Sequence, residues 1–270
     1  MVAKKHSRGS DEAASGLLLE RPGPLSEVFG NGPALLVSVR NEIEAARAIA
    51  GGARIIDVKE PSSGPLGRAS LGAMAAIVEA ATAQESRPLL TAALGELEEE
   101  EDAARFAAPP GIAIFKLGLA GWGRVPGWDA SLDAWRGALQ ARASDLVAAA
   151  YADWREAESP EVDAVLAYAV SRRLPFLLID TFHKDGRRLL DHASLREIAR
   201  WIETAHAARV GLALAGSLRA DDFEPLAELG ADVIAVRGAA CGNGDRNASI
   251  DGSIVATLAL RLAARKRHPA

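Results

Sequence analysis

"ARIIDVKEPSSGPLG", residues 53–67, ends a short apolar run with Asp57 and Lys59 and then enters a loop of proline, serine and glycine. Side chains of a strand alternate between faces, so Asp57 and Lys59 share the face of Ile55, while Ile56 and Val58 take the other. An acid and an amine therefore stand together at a strand end. Near a surface they form a salt bridge of little energetic value. In a catalytic mouth they are a lysine nucleophile and a carboxylate that handles protons. The kind of sheet decides between the two.

Seven more apolar runs accompany "RIIDVK" (54–59): "ALLVSV" (34–39), "LLTAAL" (89–94), "IAIFKLG" (112–118), "LVAAAYAD" (146–153), "FLLIDT" (176–181), "VGLALAG" (210–216) and "VIAVRG" (233–238). Continuous apolar runs mark strands buried on both faces of a parallel sheet. Helical segments separate most of them. "NEIEAARAIAGGA" opens on an Asn cap at Asn41 and closes on a glycine pair; "SPEVDAVLAYAVSRRL" has Ser159 as its cap and Pro160 at its first helical position; "SLREIARWIETAHAARV" follows the sixth run. Eight such repeats predict an α/β fold, a single (β/α)8 TIM barrel over residues 33–270. Residues 1–32, closed by "RPGPL" and "GNGP", read as a flexible, poorly ordered N-terminal extension. After the third run, "GELEEEEDAARF" reads as either a short acidic helix or a loop, with its glutamates a solvated face.

Composition narrows the function. In 270 residues the formal net charge is -5, which argues against a nucleic-acid surface, and 49% of the residues are hydrophobic, enough for a large core. No uninterrupted apolar run approaches the length of a membrane span, and Leu17–Leu19 is too short for a signal peptide. A single cysteine, Cys241, excludes an intramolecular disulfide framework and a thiolate zinc cluster, and fits a reducing cytoplasm. It reads as a packing residue. His6, His183, His192, His206 and His268 lack ligand spacing, so no metal and no cofactor are expected. The expected partner is a small molecule, with no nucleic acid and no membrane, and self-association stays open.

Barrel enzymes place their active sites at the C-terminal strand ends. Those ends supply Asp57 and Lys59, Lys116, Tyr151 and Asp153, Asp180 with Lys184, Gly216 with Ser217, and Arg237 with Gly238. A buried charge must be paired or shifted in pKa, so three lysines within apolar strands point to function. A desolvated lysine crowded by cations exposes a neutral amine to a carbonyl, the start of Schiff-base chemistry. "LAGSL" and "VRGAACGNGDRN" lie where such barrels hold phosphate by backbone N–H groups, with Arg237 and Arg246 supplying charge and Asp245 a further substrate contact. Glycines there are equally ordinary turn chemistry. Trp122 and Trp128, in "GWGRVPGW", either cover the mouth or pack.

The motifs "IIDVKEPSSGPLG", "FKLGL", "AAYAD", "IDTFHKDG", "ALAGSL" and "DVIAVRGAACGNGDRN" together, and in this order, resemble the (5-formylfuran-3-yl)methyl phosphate synthase family of methanofuran biosynthesis. The resemblance implies a lyase that condenses two molecules of glyceraldehyde 3-phosphate, a phosphorylated triose, to a furan aldehyde with loss of phosphate and water. It implies Lys59 as the Schiff-base lysine, Asp57 as its proton-transfer partner, Asp180 and Lys184 as a second acid/base pair, and Lys116 as a further cation. Gly216, Ser217, Gly238 and Ala239 then form the phosphate grip. The loop after Lys59 either bends over substrate or holds a second phosphate through Ser62, Ser63 and Gly64. Rival readings are another Schiff-base aldolase or a sugar-phosphate isomerase of this fold, and a non-catalytic barrel that binds a phosphorylated effector.

Overall fold

The computed structural model describes residues 32–97, 103–107 and 109–263; the expected N-terminal extension lies outside them, apart from residue 32. Eight parallel strands close into a barrel in chain order, with β8 returning to β1. They are β1 (Ala34–Val39), β2 (Ile55–Val58), β3 (Leu89–Glu96), β4 (Ile114–Gly118), β5 (Asp145–Tyr151), β6 (Phe176–Asp180), β7 (Gly211–Leu214) and β8 (Val233–Val236). The helices are α1 (Glu42–Ala50), α2 (Leu71–Thr82), α3 (Trp128–Gln140), α4 (Val162–Ser171), α5 (Leu189–His192), α6 (Leu195–Ala207), α7 (Phe223–Glu228) and α8 (Gly252–Ala263).

The alternation of side chains along each strand splits the apolar residues into two separate cores. Leu36, Ile55, Ile114, Val147, Phe176 and Val233 fill the barrel interior with Ala34, Ala93, Ala149, Ala213 and Ala235. Their neighbours in sequence, such as Leu35, Ile56, Phe115, Leu146, Leu177 and Ile234, face outward and pack with the helices. Both faces are buried, which is why the strands read as unbroken apolar runs.

Two local expectations meet different fates. Asn41 caps α1 as the sequence predicts, its side chain accepting from the Glu44 N–H at 2.9 Å. Ser159 does not cap α4: that helix begins after Glu161 with no side-chain cap, and the Ser159 hydroxyl donates to the Pro160 carbonyl instead. Between β3 and β4, the described residues include a short 3-10 turn, Ala103–Arg105, while most of the glutamate run, where a short helix or a loop is expected, lies outside them. No helix among the described residues is long and apolar enough to cross a membrane.

Candidate active site

The barrel's inward parity carries polar residues into its C-terminal layer. Asp57 is buried and accepts from the Ser38 and Thr91 hydroxyls, each at 2.9 Å, while Lys116 ion-pairs with the same carboxylate. The register explains the meeting, since Ser38 and Thr91 stand opposite Asp57 on the two flanking strands and Lys116 lies one strand further on. Ser38 and Thr91 were absent from the sequence-predicted site. Their signal was a hydroxyl at inward parity within an otherwise apolar run. Asp57, expected to serve Lys59, is thus directly paired with Lys116.

Asp180 ends β6 and receives Lys184, one turn later in sequence, at 2.7 Å; Thr181 N–H donates to the same oxygen at 2.8 Å. Burial alone pushes the Asp180 carboxyl up, but the charges of Lys184 and Lys59 and these hydrogen bonds outweigh it and hold the group below the usual range. Lys59 is buried and feels the charges of both acid–amine pairs. Burial lowers its pKa from 10.5 to about 8; Asp180 and Asp57 oppose this shift, and Lys184 and Lys116 add to it. The three lysines that the sequence set apart do share one mouth.

Glu96 and Tyr151 form a further buried pair in this layer, the phenol donating to Glu96 Oε1 while Oε2 accepts from the Ala120 N–H at 3.0 Å. A register shift between Ala93 and Glu96 sets Glu96 opposite Gly118, turning inward a residue whose regular parity is outward. A Cβ on Gly118 would overlap both Glu96 and Tyr151, so only glycine leaves room for the pair. Burial, then the charge and hydrogen bond of Glu96, push the Tyr151 phenol well above its ordinary 10, so it remains a donor.

The loops divide in their roles. Glu60–Gly67 closes on itself through Glu60 N–H to the Gly67 carbonyl at 2.8 Å, and the Ser62 amide and hydroxyl both donate to the Glu60 carboxylate. Ser62 and Ser63 are exposed, and Gly64 has φ +110°. Gly216 and Ser217 both have positive φ after β7, and Gly238 with Ala239 opens a 3-10 turn after β8. Arg246 reaches the Pro61 and Gly64 carbonyls at 3.3 and 3.4 Å, joining the last loop to the second, and Asp245 accepts from the Asn247 N–H in an exposed turn.

Arg237 is engaged elsewhere: its guanidinium donates to Glu44 and to the carbonyls of Ser38, Arg246 and Ala248. Glu44 also binds Arg40, so one buried carboxylate ties both arginines at the seam between β1 and β8. Nothing in the amphipathic pattern of α1 marked Glu44. Trp128 packs edge-on against Tyr168 at the start of α3, and Cys241 is buried in the outer core. Among the described residues no group of three or more histidines, cysteines or carboxylates is placed to hold a metal ion.

A family model described as 4-HFC-P synthase matches residues 35–259. The (5-formylfuran-3-yl)methyl phosphate synthase of Methanopyrus kandleri is 36% identical over 86% of this chain and 99% of that protein. Its namesake in Methanocaldococcus jannaschii is 35% identical over 83% of this chain and 97% of that one. Among solved structures, a 3-hexulose-6-phosphate synthase superposes with a TM-score of 0.54 at 16% identity, covering 85% of this chain and 99% of that one, a likeness of fold alone.

Proposed function

The chain belongs to the 4-HFC-P synthase family, and from that premise we propose that it is a Schiff-base lyase making (5-formylfuran-3-yl)methyl phosphate from two molecules of glyceraldehyde 3-phosphate, a step toward a methanofuran-type cofactor. Condensation of two such trioses to this furan releases one phosphate and two waters. The observation that carries the reading is Lys59 buried at the C-terminal mouth of the barrel together with two acid–amine pairs, a setting that depresses its amine.

In this reading one triose phosphate isomerises to its ketose form, and the neutral Lys59 amine attacks that carbonyl to give an iminium after loss of water. Asp180 and Lys184, the pair whose charges bear most strongly on Lys59, take the proton from C2 of the second triose, which expels phosphate from C3 and leaves an enol. The terminal carbon of that enol adds to the iminium carbon, forming the branched skeleton, while the enol C2 becomes a ketone. Elimination of the lysine amine frees Lys59, the free hydroxyl of the former ketose closes onto the ketone, and loss of a second water completes the aromatic ring. Asp57, saturated by Ser38, Thr91 and Lys116, acts electrostatically and fixes the Lys116 amine rather than shuttling protons itself.

Backbone groups of Gly216, Ser217, Gly238 and Ala239 hold one phosphate, and the Ser62–Gly64 turn with Arg246 approaches the other. Arg237 is left out of this grip because Glu44 and three carbonyls already occupy its guanidinium. Incubation of purified protein with glyceraldehyde 3-phosphate tests the proposal. A product with the furan aldehyde's mass and ultraviolet absorbance is expected; folded protein that yields none overturns it.

A further inference from the structure

Lys184 lies in a stretch between β6 and α5 that belongs to neither element, yet its amine is held at 2.7 Å from Asp180 Oδ1, 2.6 Å from the Thr181 carbonyl and 3.2 Å from Thr181 Oγ1. All three partners lie three or four residues earlier, so where the amine stands follows the path of the backbone between. The end of β5 holds that path. Asp153 is buried, and its two carboxylate oxygens accept from the Phe182 N–H at 2.7 Å and the His183 N–H at 2.8 Å; His183 Nδ1 lies 3.2 Å from the second oxygen. Ala152 N–H donates to the Asp180 carbonyl at 2.8 Å, and the Tyr151 ring meets Phe182 edge-on at 5.3 Å between centroids.

We propose that Asp153 is a positioning residue, which clamps the two amides immediately preceding Lys184 and so sets where the Lys184 amine stands relative to Asp180 and Lys59; this rests on the reading of Lys184 as a functional amine. The side chain itself is buried, only 1% exposed. Its negative charge is met by backbone N–H groups and one imidazole, the pattern of a carboxylate that orders a loop. An uncharged amide at this position keeps one acceptor and turns two donors toward N–H groups, so one of the two buried bonds is lost.

The experiment compares full-length wild type with Asp153→Asn and Asp153→Ala, each checked for fold by circular dichroism. The rate of Lys184 acetylation by acetic anhydride is read by peptide mass spectrometry, beside kcat and KM for furan formation. Expected are at least tenfold faster Lys184 labelling and at least tenfold lower kcat, with KM changed less than threefold. In a Lys184→Met background, Asp153→Asn should cause no further loss, because both changes act through one amine. Unchanged labelling, or a full additive loss in the double variant, overturns the proposal. If both variants unfold, amide hydrogen exchange in wild type decides: Phe182 and His183 amides protected above their loop neighbours support the clamp, and exchange at the rate of an open loop refutes it. Labelling and exchange need no substrate, so they stand or fall independently of whether any furan is made.

Discussion

Replacing Lys184 with methionine removes the cation that bears most strongly on Lys59 and releases Asp180 to attract it, so both changes push the Lys59 amine back toward the ordinary lysine value. With a pKa of about 8 in the wild type, roughly 9% of Lys59 is neutral at pH 7, against about 0.03% for an unperturbed lysine, a gain of about 300-fold in reactive amine. Each unit of upward shift in the variant forfeits about tenfold of that gain. The assay is the initial rate at which glycolaldehyde and borohydride fix an adduct on Lys59, measured by mass spectrometry across pH. An uncharged aldehyde avoids dependence on the proposed phosphate grip. In wild type the rate should climb about tenfold per pH unit and level off near pH 8; in Lys184→Met the levelling should move at least one unit higher. A wild-type rate still climbing through pH 10, or an unmoved profile in the variant, would refute the account of Lys59.

The same shift has a stability consequence with a definite sign. Because the folded pKa of Lys59 lies below its unfolded value, the unfolded chain binds more protons between about pH 8 and 10.5, and this group's contribution to stability rises with pH across that window. Below pH 8 the full cost, about 3 kcal/mol at most, is present; Lys59→Met should therefore be inactive yet at least as stable as wild type in urea at pH 7. Gly118→Ala drives a methyl group into Glu96 and Tyr151 and should cost about 1–3 kcal/mol, read as a lower urea midpoint. Glu44→Ala strands two arginines at the barrel seam, with an expected loss of about 3–5 kcal/mol by the same measurement. Asn41→Ala should cost about 1 kcal/mol in thermal melts, whereas Ser159→Ala, which removes no cap, should leave α4 unchanged by circular dichroism.

Much of the architecture is local information. Strands buried on both faces must be apolar throughout, and their spacing by helical segments leaves the closed parallel barrel as the economical arrangement; hence the order of all eight strands and the place of Asp57, Lys59, Lys116 and Asp180 toward the C-terminal strand ends were legible. Ser38 and Thr91 were legible by strand parity once the barrel was accepted. Ser159 misled because serine before proline is a common helix opening, and the competing bond to the Pro160 carbonyl depends on how the chain enters α4.

What the amino-acid sequence determined alone was therefore which residues of a strand share a face and at which end the chemistry gathers, because these follow from a period of two and a fixed strand direction. Which acid meets which amine was a tertiary matter. Asp57 and Lys59 are two residues apart, yet Asp57 pairs with Lys116 two strands away and Lys59 is tuned by Asp180 and Lys184, since side-chain reach and barrel register, rather than sequence distance, set those contacts. Glu96 enters the site only because a register shift reverses its parity, and Arg237 is drawn to Glu44 only because β8 closes against β1. Each of these depends on a non-local pairing, and no pattern within a single strand or helix encodes it.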